Sequence, residues 1–163
     1  MFEIRPFERG DAAAVWRVHE RAFRASPLPF VDDPALDRDL RNPTAHYLPG
    51  PGTLVVGVHR ESASADGELV ALGASEPVDA TTVEFRRLRV DPDYQRRGYA
   101  SRLLDRLRAR AVADGFETVV LSTDERLRAA RALYESRGYE RVATDCSERC
   151  GIEYRRSLDP EKR

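Results

Sequence analysis

Lysine is all but missing from this chain. Lys162 is the only one among 163 residues, so arginine supplies nearly all of the 27 basic side chains, and 28 acidic ones offset them to a formal net charge of −1. With no basic block, there is no phosphate-neutralising face of the kind nucleic-acid binding requires, and no nucleic-acid partner is expected. Long apolar runs are missing too. None approaches the ~18 residues of a membrane span, and Met1-Phe2-Glu3-Ile4-Arg5 does not have the charged-then-apolar layout of a signal peptide. No membrane partner is expected, and a cytoplasmic location is. Cysteine is scarce: Cys146 and Cys150 make one C-x3-C pair, while His19, His46 and His59 are scattered along the chain. That pattern reads as two free thiols rather than a disulfide or a metal site, and no metal is expected.

What is present describes a globular protein. The apolar fraction is 41% and the charged fraction 34%, and a chain of this length buries roughly 70% of its unfolded surface as one domain. We expect a single domain over residues 1–163, with 158–163 a frayed tail.

Phe2-Glu3-Ile4-Arg5 alternates as a short strand ended by Pro6, and Asp11 suits the N-cap of a helix reaching Phe23, with Val15, Val18 and Ala22 on one face. His19 lies by that face and reads as a packed, hydrogen-bonded histidine. Six prolines interrupt residues 24–51, where Asp33-Pro34 is a helix-start signal and Leu36 with Leu40 can seat a short helix. The remainder of that segment reads as loop, and its Asp32, Asp33 and Asp37 read either as a solvated acidic loop or as an attraction for a cationic acceptor. Residues 53–58 and 68–74 form a hairpin pattern. A short buried strand is expected within 116–123, a helix capped by Ser122 or Asp124 with Leu127, Ala130, Leu133 and Tyr134 on one face and Gly138 at its end, and a last strand pair at 139–143 and 152–157.

The stretch from Val83 to Ala100, VEFRRLRVDPDYQRRGYA, organises the rest. Val83 and Phe85 alternate, and so do Leu88 and Val90, but the two pairs are out of phase by one residue. A β-bulge around Arg86–Arg87 restores the phase. Asp91-Pro92 stops the strand, and Gln95-Arg96-Arg97-Gly98-Tyr99-Ala100 leads into a helix carrying Ala100, Leu103, Leu104, Leu107 and Ala111 at helical spacing. A polar loop with glycine, placed before a helix N-terminus, presents unpaired amides to an anion; a plain strand-to-helix turn with solvated arginines would share the pattern.

Residues 95–100 resemble the Gln/Arg-x-x-Gly-x-Gly/Ala signature of the Gcn5-related N-acetyltransferase (GNAT) family, and Leu88-Arg89-Val90-Asp91-Pro92 looks like that family's strand-four ending. Residues 130–139, ARALYESRGY, resemble its Ala-x-x-Leu-Tyr-x-x-x-Gly-Phe/Tyr segment. Two motifs in order are more specific than either alone. Leu127 departs from the pattern, standing where many relatives carry an asparagine that meets the pantetheine.

The resemblance implies an α/β (α+β) fold: a mixed, mostly antiparallel sheet of six to seven strands, with a central bulged strand splayed from its parallel neighbour and helices on both faces. It also implies acetyl-CoA as acyl donor, held along Leu88, Arg89 and Val90 and at Gln95, Arg96, Arg97, Gly98, Tyr99, Ala100 and Ser101. The slot is expected where Leu88–Val90 diverges from Val119–Leu121. A small-molecule amine or peptide would be the acceptor, attacking directly in a ternary complex; a homodimer is possible. Tyr134 matches the tyrosine that protonates the thiolate in many relatives, with core packing as its other reading. Glu84 is the candidate base, acting through a water, or else a glutamate that is solvated or paired with Arg86. A non-catalytic acyl-CoA-binding sensor or scaffold is the alternative function.

Overall fold

The β-rich runs pair into one sheet. The computed structural model describes residues 1–142 and 151–158. In chain order the elements are β1 (Phe2–Pro6), α1 (Ala12–Arg24), α2 (Arg38–Arg41), α3 (Pro43–Tyr47), β2 (Thr53–His59), β3 (Glu68–Pro77), β4 (Thr82–Val90), α4 (Tyr99–Ala113), β5 (Thr118–Thr123), α5 (Arg128–Ser136), β6 (Glu140–Val142) and β7 (Ile152–Ser157). Among the described residues the sheet has seven strands in the order β1-β2-β3-β4-β5-β7-β6, with β4–β5 its parallel pair. This is the mixed, mostly antiparallel architecture expected, with the bulged strand in the middle.

The two faces carry separate cores. Val15 and Val18 of α1 and Leu40 of α2 pack with Val56, Leu72 and Ala74 on one side. Leu103, Leu104 and Leu107 of α4 pack with Val83, Phe85, Val90 and Tyr134 on the other. Arg137 at the end of α5 pairs with Asp105 of α4 at 3.2 Å, so both helices lie on that second face.

The bulge sits one residue beyond its expected place. Leu72 pairs with Arg89 and Ala74 with Arg86, so Gly73 alone opposes Arg87 and Leu88, and Arg87 takes a left-handed φ of 59°. The phase is restored as anticipated, since Val83, Phe85, Leu88 and Val90 all join the α4-side core. A side chain at Gly73 would be crowded, its Cβ lying 3.2 Å from Leu107 Cδ1 and 3.4 Å from Leu88 Cδ1.

Several local expectations need correction. Residues 34–36 form only a turn, with Asp33 Oδ1 accepting from the Ala35 amide at 2.9 Å, and helix resumes at Arg38. The helix α3 was unforeseen, although Asn42-Pro43 is its start signal: Asn42 Oδ1 accepts from the Ala45 amide at 3.3 Å. Asp124 caps a turn before α5, accepting from the Arg126 amide, and Leu127 takes the N-cap place without a side-chain bond. Of the expected tail, Leu158 is buried and its amide donates to Glu117 O at 2.8 Å. The rest of the tail, Cys146 and Cys150 lie outside the described residues.

Candidate active site

The site begins where two strands part. β4 and β5 pair from Thr82↔Thr118 to Phe85↔Leu121 and no further. Beyond that point Ser122 and Thr123 stay with β7, while residues 86–90 follow the bulge and keep only β3. The opening therefore lies between 86–90 and 122–123, and Val119–Leu121, expected at the splay, is in fact the paired part. An unpaired strand edge presents amide donors and carbonyl acceptors to any extended ligand with its own amides.

The loop after β4 is held open by backbone conformation. A 3-10 turn at Pro92–Tyr94 is capped by Asp91, whose side chain accepts from the Asp93 amide at 2.9 Å. Gln95 Nε2 donates to Val90 O at 3.1 Å, fastening the loop to the strand end. Arg96 (φ 64°) and Gly98 (φ 79°) are both left-handed, and Gly98 is the N-cap of α4. The first backbone bond of the helix is Arg102 N to Gly98 O, so the amides of residues 98–101 have no backbone acceptor among the described residues. With a Cβ at Gly98 meeting nothing within 4 Å, the approach to those amides is clear.

The predicted loop residues divide by role. Arg96 and Arg97 are exposed, Arg97 lying over the Tyr94 ring at 4.9 Å. Tyr99 offers only its main chain, since its ring is buried in a stack on Phe2 at 3.8 Å and its hydroxyl bonds His59 Nδ1 at 2.8 Å. Leu88 and Val90 turn their side chains into the core, leaving their backbone at the opening.

On the side of β4 facing α1 stand Glu84, Arg86, Arg87 and Arg89. Glu84 is half-buried and pairs with Arg86 at 3.2 Å; Arg86 also reaches Glu76 at 3.2 Å, and Glu76 in turn meets His46. Arg87 Nη2 and Nε bond Asp39, at 2.8 and 3.2 Å, its Nη1 bonds Asp37 at 3.0 Å, and its Nη2 also reaches Leu36 O. Tyr47 Oη donates to Asp39 at 2.6 Å. Burial pushes the Asp39 carboxyl up, but Arg87 and Tyr47 outweigh it and hold it below the usual carboxylate range. Asp37 is thus committed to Arg87, and Asp32 to Arg41, so these acids are not a free lure for a cationic acceptor.

This Arg87–Asp39–Tyr47 network was not foreseen. Its members are far apart in the chain, and no spacing rule joins them. His19 is packed as expected yet not hydrogen-bonded: it is 0% exposed, and neither ring nitrogen has a partner, the nearest being Asp37 Oδ1 at 3.4 Å. Burial, then the charge of Arg89, lowers its pKa to about 4, so it is neutral at physiological pH.

Tyr134, in the middle of α5, is 8% exposed and packs against Tyr139 and Tyr154 at 6.0 and 5.9 Å. Its hydroxyl makes no hydrogen bond among the described residues. Burial pushes its pKa up and the Arg89 guanidinium opposes that, which places the two groups within electrostatic reach of each other and keeps the phenol protonated at neutral pH. Among the described residues no group of three or more His, Cys, Asp or Glu side chains is placed to hold a metal ion, and no helix is long and apolar enough to cross a membrane.

Comparison with known proteins bears on this geometry. The model of the acetyltransferase (GNAT) family matches residues 13–139. N-acetylaspartate synthetase of Danio rerio is 33% identical over 111 residues, which are 68% of this chain and 38% of that protein, so the chain spans well under half of that relative's length. A GNAT-family acetyltransferase from Staphylococcus aureus Mu50 superposes with a TM-score of 0.81 at 15% identity, covering 98% of this chain and 100% of the other. A putative acetyltransferase from Salmonella typhimurium, solved with its cofactor acetyl-CoA, gives 0.73 at 20% identity over 98% and 95%. An N-acetyltransferase from Thermoplasma acidophilum in complex with coenzyme A gives 0.74 at 13% over 96% and 99%.

Proposed function

Because the chain belongs to the acetyltransferase (GNAT) family, we propose that it moves the acetyl group of acetyl-CoA to a primary amine by direct attack in a ternary complex. The observation that carries this is the pairing of two features on one stretch of backbone: a strand edge opened by the bulge, and unpaired helix N-terminal amides just beyond it. The amides of residues 96–101 take the pyrophosphate, with Gly98 allowing close approach and the helix N-terminus favouring the charge. The edge at 88–90 takes the amides of the pantetheine arm, which brings the thioester into the opening. Leu127 offers no polar side chain to that arm, so the strand edge carries more of its positioning.

The chemistry follows from what each group can hold. The acceptor ammonium must lose a proton before attack, and Glu84, which pairs with Arg86 on the α1-facing side of β4, takes it through a water. The amine nitrogen then bonds to the acetyl carbon, the C–S bond breaks, and the second amine proton leaves to solvent. A backbone N–H at the bulge steadies the oxygen of the tetrahedral intermediate. Tyr134 gives its phenolic proton to the departing thiolate and recovers one from water. The name of the 33% identical relative denotes an N-acetylated product, in keeping with nitrogen as the nucleophile.

Tyr134→Phe tests the assignment. It keeps the ring among Tyr139 and Tyr154 and removes only a hydroxyl without a bonding partner, so acetyl-CoA affinity and melting temperature should hold while kcat falls ~10- to 1000-fold. A fully active Phe variant would take Tyr134 out of the mechanism. A protein that binds acetyl-CoA yet acetylates no amine would instead be the sensor or scaffold alternative.

A further inference from the structure

Three arginines project from the α1-facing side of β4, and they are satisfied unequally. Arg86 has Glu76 and Glu84, and Arg87 has Asp37 and Asp39. Arg89 has no carboxylate within ion-pair distance among the described residues. Its Nη1 donates to Leu88 O at 3.1 Å, its Nε is buried without an acceptor, and its guanidinium carbon stands 5.8 Å from the centroid of the Phe23 ring. It rises from the stretch of β4 that has left β5, at the opening itself.

A desolvated cation without a counter-ion is costly, and the five donors of a guanidinium are shaped to grip a carboxylate with two parallel bonds. The described residues supply none: Asp37 and Asp39 are bound to Arg87, Glu84 and Glu76 to Arg86, and His19 alongside is neutral. Phe23 leans on Phe30 at 5.9 Å, and Phe30 on Trp16 at 6.4 Å, with Arg24 over Phe30 and Arg41 over Trp16. The wall beside Arg89 is therefore aromatic, and its Arg24 and Arg41 are paired with Glu20 and Asp32, which leaves Arg89 as the cation there without a carboxylate among the described residues.

We infer that Arg89 receives a carboxylate of the acceptor, so that the preferred substrate is a small amino acid whose amine is held at the thioester by its own acid group. This rests on the acetyltransferase reading and narrows it. Arg89 thereby takes a second role: its backbone lies along the donor, and its side chain selects the acceptor.

The test is a matched panel assayed by thiol release from acetyl-CoA: aspartate, glutamate, glycine and β-alanine, each against its carboxamide, with spermidine as a cationic control. The acids should exceed their amides by ~100-fold or more in kcat/KM, because a buried donor left unpaired penalises the analogue without its partner. Arg89→Gln should erase that margin by raising KM for the acids more than for the amides, so that the acid-to-amide ratio falls toward one whatever the change in overall rate; Arg89→Lys should keep part of the margin. Equal rates for acids and amides, or a preference for spermidine, would overturn the inference while leaving the acetyltransferase reading intact. So would an Arg89→Gln that keeps the wild-type ratio of acids to amides. If that variant does not fold, the wild-type panel and Arg89→Lys still decide. No transfer to any amine would overturn both readings together.

Discussion

Two arginines in this chain adopt the same uncommon backbone conformation for different reasons. Arg87 (φ 59°) lies at the bulge and Arg96 (φ 64°) in the loop before α4. A non-glycine residue in that region costs on the order of 1–2 kcal/mol, so each conformation must be imposed by its surroundings. At Arg87 the imposing agent is the side chain, which makes four bonds to Asp39, Asp37 and Leu36 and ties the centre of the sheet to α2. At Arg96 the side chain is exposed and has no partner among the described residues; the constraint comes from Gln95, fastened to Val90, and from Gly98 behind it. The acceptor side of the opening is thus shaped by side chains, and the loop by main chain.

Arg87→Ala is the heaviest blow to that comparison. It leaves Asp39 buried with only Tyr47 to face it, and stability should fall by about 3–5 kcal/mol, read from chemical denaturation. The native carboxyl of Asp39 is held below its unfolded value, so its contribution is present above an unfolded pKa of about 4 and is lost as pH falls through the native one. The gap between variant and wild type should accordingly narrow in acid; a gap of constant size would mean that the charge pair is not its source.

Gly98→Val reverses the pattern. A Cβ there meets nothing within 4 Å, so backbone strain is the main effect on the melting temperature, a shift of a few degrees. CoA affinity by calorimetry should drop ~100-fold, because the amides can no longer be reached closely. Unchanged affinity would show that these amides do not hold the phosphates.

The smallest effect belongs to Arg96→Gly, which relieves the left-handed strain at the cost of chain entropy. Stability should change by less than about 1 kcal/mol and CoA affinity by less than ~3-fold. A large loss of affinity here would move the work from main chain to side chain and undo the contrast.

The same division explains what could be read from the sequence. The phase slip between Phe85 and Leu88 announced the bulge, and Gly98 before the Ala100–Ala111 pattern announced the anion-ready turn, because backbone devices leave local marks in spacing and in glycine. The partners of Arg87 left none: Asp37 and Asp39 meet it, and Tyr47 meets Asp39, only once α2 and α3 have docked, a tertiary event that no periodicity encodes. Asn42-Pro43 was a legible cap hidden among six prolines. Of the readings weighed for Glu84, the contact with Arg86 is present, and the residue stands in the part of β4 still paired with β5, one pair before the strands part.

Gln95 has a consequence of another kind. By bonding Val90 O at 3.1 Å it joins strand end and loop into one piece, so the separation between the helix N-terminal amides and the opened strand edge is set by the chain, and the proposed grip on the phosphates stands at a fixed distance from the proposed slot. The piece works as a ruler. A thioester carried on a shorter arm, gripped by the same amides, would dock in full and fall short of the amine, giving occupancy without turnover.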